Sequence, residues 1–242
     1  MTHLSRREVS RLVGLGLGAG VLGNASFVRA ASAAPGLPLD HIVWAVPDLD
    51  EGVKIIADLT GIEPVSGGIA PGRTQTHNAL ISLGGGTYFE ILSPSRAGIG
   101  GPWEKLIQDG KPHIVSYALR SRDHFAALQA AITAQGFAFE GPRAMGRVRP
   151  DGGAVNWELL TASGTPIDDA LPFFIDWLDS SPHPSESSPK GASIDSFVVA
   201  HPRPAELSAL FRKLGVGTPV IGSDRYSINL VFNTPRGKVW LS

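Results

Sequence analysis

Cysteine is missing from all 242 positions of the chain. Disulfides, thiolate metal sites and a cysteine nucleophile are excluded with it. A surplus of charge is missing as well: 21 basic residues face 22 acidic ones, for a formal net charge of −1. Nucleic acid and anionic membranes attract strongly basic chains, so neither is expected as a partner. No apolar run reaches the length of a stable membrane span. The one candidate, from about Leu12 to Leu22, is short and rich in glycine. No local Ser/His/Asp constellation stands out, and no helix follows Gly84-Gly85-Gly86 to make a phosphate loop of them. What is present, 43% apolar and 18% charged residues, is the make-up of an ordinary globular protein.

The first residues read as a unit of their own. Arg6-Arg7 follows Ser5, an apolar stretch comes next, and Ala31-Ser32-Ala33 fits an A-x-A cleavage site. Residues 1–33 therefore resemble a twin-arginine export signal. The expectation is a periplasmic or secreted protein with no stable membrane span after the signal is cleaved. That pathway exports folded proteins, so a metal loaded in the cytoplasm could travel with the chain, although metal-free proteins use it too.

The remaining chain repeats one pattern three times: an apolar strand, a short polar link, an amphipathic helix of about three turns, then short strands. The first copy starts at His41-Ile42-Val43-Trp44. Asp48 and Glu51 have capping-box spacing, Val53, Ile56 and Leu59 follow at helical intervals, and Gly61 suits the stop. Strands are expected at 78–84 and 87–93. The second copy starts at His113-Ile114-Val115; Phe125, Leu128 and Ile132 share a helical face, and strands are expected at 143–150 and 154–161. The third starts at Asp195-Ser196-Phe197, with Pro204 in the first helical turn and Leu207, Leu210, Phe211 and Leu214 as its stripe. The fold class expected is α+β, with repeated β-α-β-β-β modules and curved mixed sheets around a cavity. Two modules occupy 38–160, a crossover 161–193, and a third module packed on the same domain 194–242. The crossover contains Leu171, Phe173, Phe174 and Trp177, too apolar to stay in water, so part of it should dock.

The strand "LDHIVWAVPDLD", the segment "SGGIAPGRTQTHNALISLGGGTYFEILSP" and the later "LPFFIDWLDSSPHPS" together resemble the glyoxalase-like domain family of the vicinal oxygen chelate superfamily. The resemblance covers about residues 38 to 242 and implies paired modules curled around one cavity. It also implies a divalent metal held by a first-strand His and a last-strand Glu from each module. Carried over by position, these are His41 and Glu90 from the first copy, and His113 and Glu158 from the second. Ser196 and Leu241 stand at these places in the third, which offers no pair. Three modules are an odd number for a cavity made by two. The third either covers the first pair or meets a second copy of the chain, giving a homodimer.

The residue types suit such a site. In a strand of period two, Tyr88, Glu90 and Leu92 share one face and Phe89 and Ile91 the other. A glutamate among apolar neighbours is costly to bury unless paired, protonated or metal-bound. Glu158, between Trp157 and Leu159, has the same difficulty. Two carboxylates converging on one cavity would repel, and a cation relieves that conflict. Two imidazoles and two carboxylates suit Zn, Ni, Co, Mn or Fe(II). Glu90 or Glu158 would then move a proton as general base. His77 and Asn78 open a strand from which either could reach substrate. Arg147 and Arg149, two apart, form with Arg143 either a fork for a carboxylate or phosphate or a solvated hairpin face. His183 and Trp177 suit either a lid over the cavity or packing of the crossover.

Two functional readings follow. One is a metal-dependent lyase, isomerase or dioxygenase on a small oxygenated molecule. The other is a metal-free small-molecule binder of the same fold, with Trp44, Phe89 and Trp157 around the pocket.

Overall fold

A computed structural model describes residues 36–69, 76–94, 110–122, 124–164, 167 and 170–242, so the export signal read at 1–33 lies outside the described residues. The first repeat comprises β1 (Leu39–Ala45), α1 (Leu49–Thr60), β2 (Val65–Ile69), β3 (Thr76–Gly84) and β4 (Thr87–Pro94). The Asp48 side chain caps α1 by accepting from the Glu51 N–H at 2.9 Å, and Gly61 closes it with φ 73°. Gly52 lets α1 lie close to the sheet, because a Cβ there would come within 2.9 Å of Val46. The second repeat has β5 (His113–Arg120), α2 (Phe125–Ala134), β6 (Ala138–Val148), β7 (Ala154–Ser163) and β8 (Phe173–Asp176). After the one-turn helix α3 (Pro184–Ser187) comes the third: β9 (Ser193–His201), α4 (Pro204–Lys213), β10 (Val220–Gly222), β11 (Ser227–Thr234) and β12 (Gly237–Leu241). The stripes read from the sequence are buried: Phe125, Leu128 and Ile132 on α2, and Leu207, Leu210 and Phe211 on α4.

The first two repeats close into one barrel of eight strands, in the order β1-β4-β3-β2-β6-β7-β8-β5. In each half the first strand runs parallel to the last: His41 lies beside Tyr88 in the β1–β4 pair, and Ala118 beside Phe173 in the β5–β8 pair. The halves meet antiparallel where β1 pairs with β5. The α+β architecture of repeated units around a cavity is thus the one observed.

One boundary needs correction. The last strand of the second repeat is β8, not 154–161, and it comes from the stretch read as a crossover. β8 has only four residues, of which Phe174, Ile175 and Asp176 are buried. It pairs antiparallel with β7 and parallel with β5, the latter more than fifty positions earlier. Residues 177–191 then pass over one end of the barrel before β9 begins.

The third repeat forms a separate sheet, ordered β10-β9-β11-β12, on the outside of the barrel. Phe232 meets Phe89 with ring centroids 5.8 Å apart, and Phe197 meets Tyr117 at 5.1 Å. The outward faces of β1 and β4 join α1, α2, α4 and this sheet in one apolar core. Each fully buried Phe or Ile in it contributes about 1.5–3 kcal/mol relative to exposure. The cavity is lined by the first two repeats together with Trp177, Pro182, Pro184, Ser187 and Ser188 of the connecting segment. Among the described residues no helix is long and apolar enough to cross a membrane.

Candidate functional site

Alternation along the strands builds the site. On β4 Phe89 and Ile91 go to the core, while Tyr88, Glu90 and Leu92 line a cavity of about 400 Å³ inside the barrel. On β1 Ile42 and Trp44 go to the core, while His41 and Val43 line the cavity. His41 Nε2 stands 3.7 Å from Glu90 Oε2. The imidazole stacks on Tyr88 with centroids 4.6 Å apart, and Phe173 meets its edge at 5.3 Å.

Glu90 is held from its other oxygen. Asn78 Nδ2 donates to Oε1 at 2.6 Å, and Arg147 Nη2 lies 3.9 Å from the same atom. Arg147 Nη1 in turn donates to Gly68 O at 2.8 Å and to Asn78 Oδ1 at 3.2 Å. Gly67 makes room for this clamp, since a Cβ there would fall 2.4 Å from Asn78 Oδ1. Burial lowers the pKa of Arg147, while the Glu90 charge acts to raise it. Burial, and then the nearby Glu90 charge, push the Tyr88 phenol well above its ordinary range, so it stays protonated.

Behind His41 is a carboxylate that sequence reasoning missed. Asp40 is fully buried, and Asp40 Oδ1 accepts from His41 Nδ1 at 2.7 Å. Adjacent residues of a regular strand point to opposite faces. Here the β1–β5 register slips between Leu39 and His41, and at that irregularity the two side chains meet. Three more donors converge on Asp40: Arg120 Nε at 2.8 Å, Trp177 Nε1 at 3.1 and 3.2 Å, and His183 Nε2 at 3.1 Å. His183 Nδ1 lies 3.2 Å from the Ser185 N–H and 2.8 Å from Ser185 Oγ, and its Nε2 lies between Asp40 Oδ2 at 3.1 Å and Arg120 Nη2 at 3.2 Å. Burial would raise the Asp40 pKa, but the hydrogen bonds from His183 and His41 outweigh it and hold the group well below the usual carboxylate range. An anionic Asp40 accepts a hydrogen bond from the Nδ1–H of His41, so in the neutral ring the Nε2 lone pair faces the cavity. The adjacent acid and histidine at 40 and 41 were the one sequence signal of this pairing. Nothing local pointed to Arg120, while Trp177 and His183 were read as a lid over the cavity or as packing of the crossover, not as partners of Asp40.

The other sequence-read residues divide sharply. Asn78 is at the site, and His77, next along β3, points to the other side. Arg147 serves as the clamp on Glu90. Arg149 lies at the cavity wall, with Nε bonded to Asp151 Oδ1 at 3.2 Å. His113 and Glu158 are not brought to the site. His113 starts β5 at the far end, beside Ala45, and its Nδ1 donates to Lys111 O at 3.0 Å. On β7 Trp157 and Leu159 take the cavity face, so Glu158 turns away. β8, the counterpart of β4, presents Phe173 and Ile175 to the cavity rather than a second carboxylate. Among the described residues no group of three or more His, Asp or Glu could hold a metal ion. Of the expected donors only His41 and Glu90 remain together, and the other oxygen of Glu90 is already held by Asn78 and faced by Arg147. The residues present therefore do not fit the divalent metal that the resemblance implied.

Comparison with known proteins agrees with the architecture. A family model described as a glyoxalase-like domain matches residues 39–215. No curated protein matches the chain. Among solved structures, a hypothetical protein from Staphylococcus aureus is 20% identical, with 84% of each chain covered and a TM-score of 0.60. Methylmalonyl-CoA epimerase from Mycobacterium tuberculosis is 19% identical over 61% of this chain and 91% of that one, with a TM-score of 0.40. A variant of the Streptomyces coelicolor epimerase in complex with 2-nitronate-propionyl-CoA is 20% identical over 61% and 99%, with a TM-score of 0.42. At these identities the likeness concerns fold alone, and the two epimerases are too distant to carry any argument about activity.

Proposed function

Because the chain belongs to the glyoxalase-like domain family of the vicinal oxygen chelate superfamily, we propose that it is a proton-transfer enzyme. It acts as an isomerase or lyase at the C–H bond beside a carbonyl group of a small molecule. The observation that carries this is the His41 Nε2 lone pair, turned into the cavity by Asp40 and set 3.7 Å from Glu90 Oε2. His41 accepts the substrate proton, and the Asp40 charge stabilises the imidazolium that forms. Glu90, fixed by Asn78 and Arg147, takes or returns a proton beside it. A positioned base of this kind accelerates proton transfer by about 10²–10⁴. No step is routed through a metal, because the donor set does not fit one, and oxygenase chemistry is not assigned for the same reason. We place the activity outside the cytoplasm on the signal read in residues 1–33.

The test is deuterium exchange. The mature protein is incubated in D₂O with 2-oxo acids, 2-hydroxy acids and their neutral esters, and the proton on the carbon beside the carbonyl group (C3 of the oxo acids, C2 of the hydroxy acids) is followed by NMR. Exchange above the buffer rate is expected, falling about 100-fold in His41→Gln and in Glu90→Gln. Exchange at the buffer rate across the series would remove the enzymatic reading. A second reading, a metal-free binder, draws on the apolar walls made by Met145, Trp157, Phe173 and Trp177. It prevails if a ligand raises the melting temperature while no exchange occurs.

A further inference from the structure

Taking a proton from the carbon beside a carbonyl group turns the carbonyl oxygen into an enolate oxygen, and a preorganised donor in a water-poor site stabilises that charge. His41 and Glu90 handle the proton, and Arg147 is committed to Glu90, Asn78 and Gly68. Tyr88 is placed to serve the oxygen. It pairs beside His41 across β1 and β4 and precedes Glu90 by two residues on the cavity face. Its ring lies 18° from the plane of the imidazole with centroids 4.6 Å apart, and His183 meets it at 5.7 Å in an edge contact. The charges of Glu90 and Arg147 both act on its phenol. Tyr88 is only 3% exposed, yet among the described residues its hydroxyl has no hydrogen-bond partner. A buried tyrosine hydroxyl ordinarily finds one. The oxygen is not one of the unpartnered atoms sealed inside the protein, so it opens on the cavity that Tyr88 lines. Because the phenol stays protonated, it has a hydrogen to give and no protein acceptor to take it.

From this buried, unpartnered hydroxyl beside the His41–Glu90 pair we infer that Tyr88 is a catalytic hydrogen-bond donor to the carbonyl oxygen of the substrate. The inference rests on the proposed proton transfer and supplies the part of it that His41 and Glu90 do not. As the C–H bond breaks, its electron pair forms a C=C bond, the π pair of the carbonyl moves onto oxygen, and the proton passes to His41 Nε2. Tyr88 keeps its own proton and holds the oxygen through the change. The substrate is then a ketone, an aldehyde or an ester, whose carbonyl oxygen can accept from a phenol.

Two probes of the same shape test this: acetophenone, and α-methylstyrene, which has CH₂ in place of the carbonyl oxygen. NMR titration follows their binding to the parent, Tyr88→Phe and His41→Gln. Tyr88→Phe should weaken acetophenone by about five- to tenfold and leave α-methylstyrene within about twofold. In the infrared the C=O stretch of bound acetophenone should lie below its position in hexane, return toward it in Tyr88→Phe, and stay low in His41→Gln. Exchange of the acetophenone methyl protons in D₂O should fall by about 10²–10³ in Tyr88→Phe. The hydroxyl removed has no protein partner, so this variant should melt within about 2 °C of the parent. Four outcomes each overturn the inference: acetophenone does not bind, Tyr88→Phe affects both probes alike, the C=O stretch is the same in parent and Tyr88→Phe, or Tyr88→Phe melts far below the parent. Exchange that is absent from the parent while Tyr88 still selects the ketone removes the base and leaves the donor. Exchange that is present in the parent and undiminished in Tyr88→Phe removes Tyr88 alone.

Discussion

Replacing Asp40 with asparagine probes the site at its most loaded point. The change keeps the shape and one oxygen, but exchanges an acceptor for an NH₂ group. If the remaining oxygen faces Arg120, Trp177 and His183, the NH₂ meets the Nδ1–H of His41, donor against donor. The imidazole escapes this by carrying its proton on Nε2, toward Glu90, and the lone pair needed for base chemistry is lost. If the amide turns the other way, Arg120 Nε and His183 Nε2 face donors instead. Removing one partner of a buried ion pair costs about 3–5 kcal/mol. The Arg120 side chain is 33% exposed, which favours the lower end, about 3 kcal/mol. For a chain of this size that is a fall in melting temperature of about 6–12 °C. Exchange should slow by about 10²–10⁴. The pH dependence gives a third readout. Because the folded Asp40 pKa lies below its unfolded value, its contribution is fully present above about pH 4 and is lost as pH falls, by about 1.4 kcal/mol per pH unit. The asparagine variant should lack that component of the acid slope. Calorimetry, exchange kinetics and ¹⁵N shifts of the His41 ring check the three parts. A variant that melts with the parent, retains its rate and keeps the proton on Nδ1 would refute the reasoning.

Two further outcomes follow from the geometry. His113→Ala and Glu158→Ala, both away from the cavity, should each change stability by less than about 1 kcal/mol and leave exchange intact, as thermal melts and NMR will show. In the same assays chelation by EDTA should leave the parent protein's melting temperature and rate unchanged, and stoichiometric bound metal lost in His41→Gln would contradict the assignment of a metal-free site. When the full chain is expressed in a host with a twin-arginine pathway, mass spectrometry of the exported protein should find a new N-terminus after Ala33, and replacing Arg6-Arg7 with Lys-Lys should retain the precursor in the cytoplasm.

How much of this was legible depended on distance along the chain. The capped helix from Asp48 to Gly61, the buried stripes of the later helices and the shared face of Tyr88, Glu90 and Leu92 are properties of near neighbours. Periods of 3.6 and 2 reveal them directly. The same alternation, counted on β7, already places Glu158 opposite Trp157 and Leu159. What it could not say was which of the two faces is the cavity's. That depended on β8, whose pairing with β5 is long-range and whose four residues carry no period of their own.

The sequence by itself determined the repeating unit from local pattern, and its resemblance to the family implied that His41 and Glu90 meet in one concavity. Only the tertiary structure decided that the second repeat brings Phe173 and Ile175 where ligands were expected, and that Arg147 lies against the oxygen of Glu90 that does not face His41. It also decided that Asp40 gathers His41, Arg120, Trp177 and His183. The physical reason is closure of the barrel: joining β1 to β5 brings segments more than a hundred residues apart against one carboxylate, and no pattern within a single strand encodes that encounter.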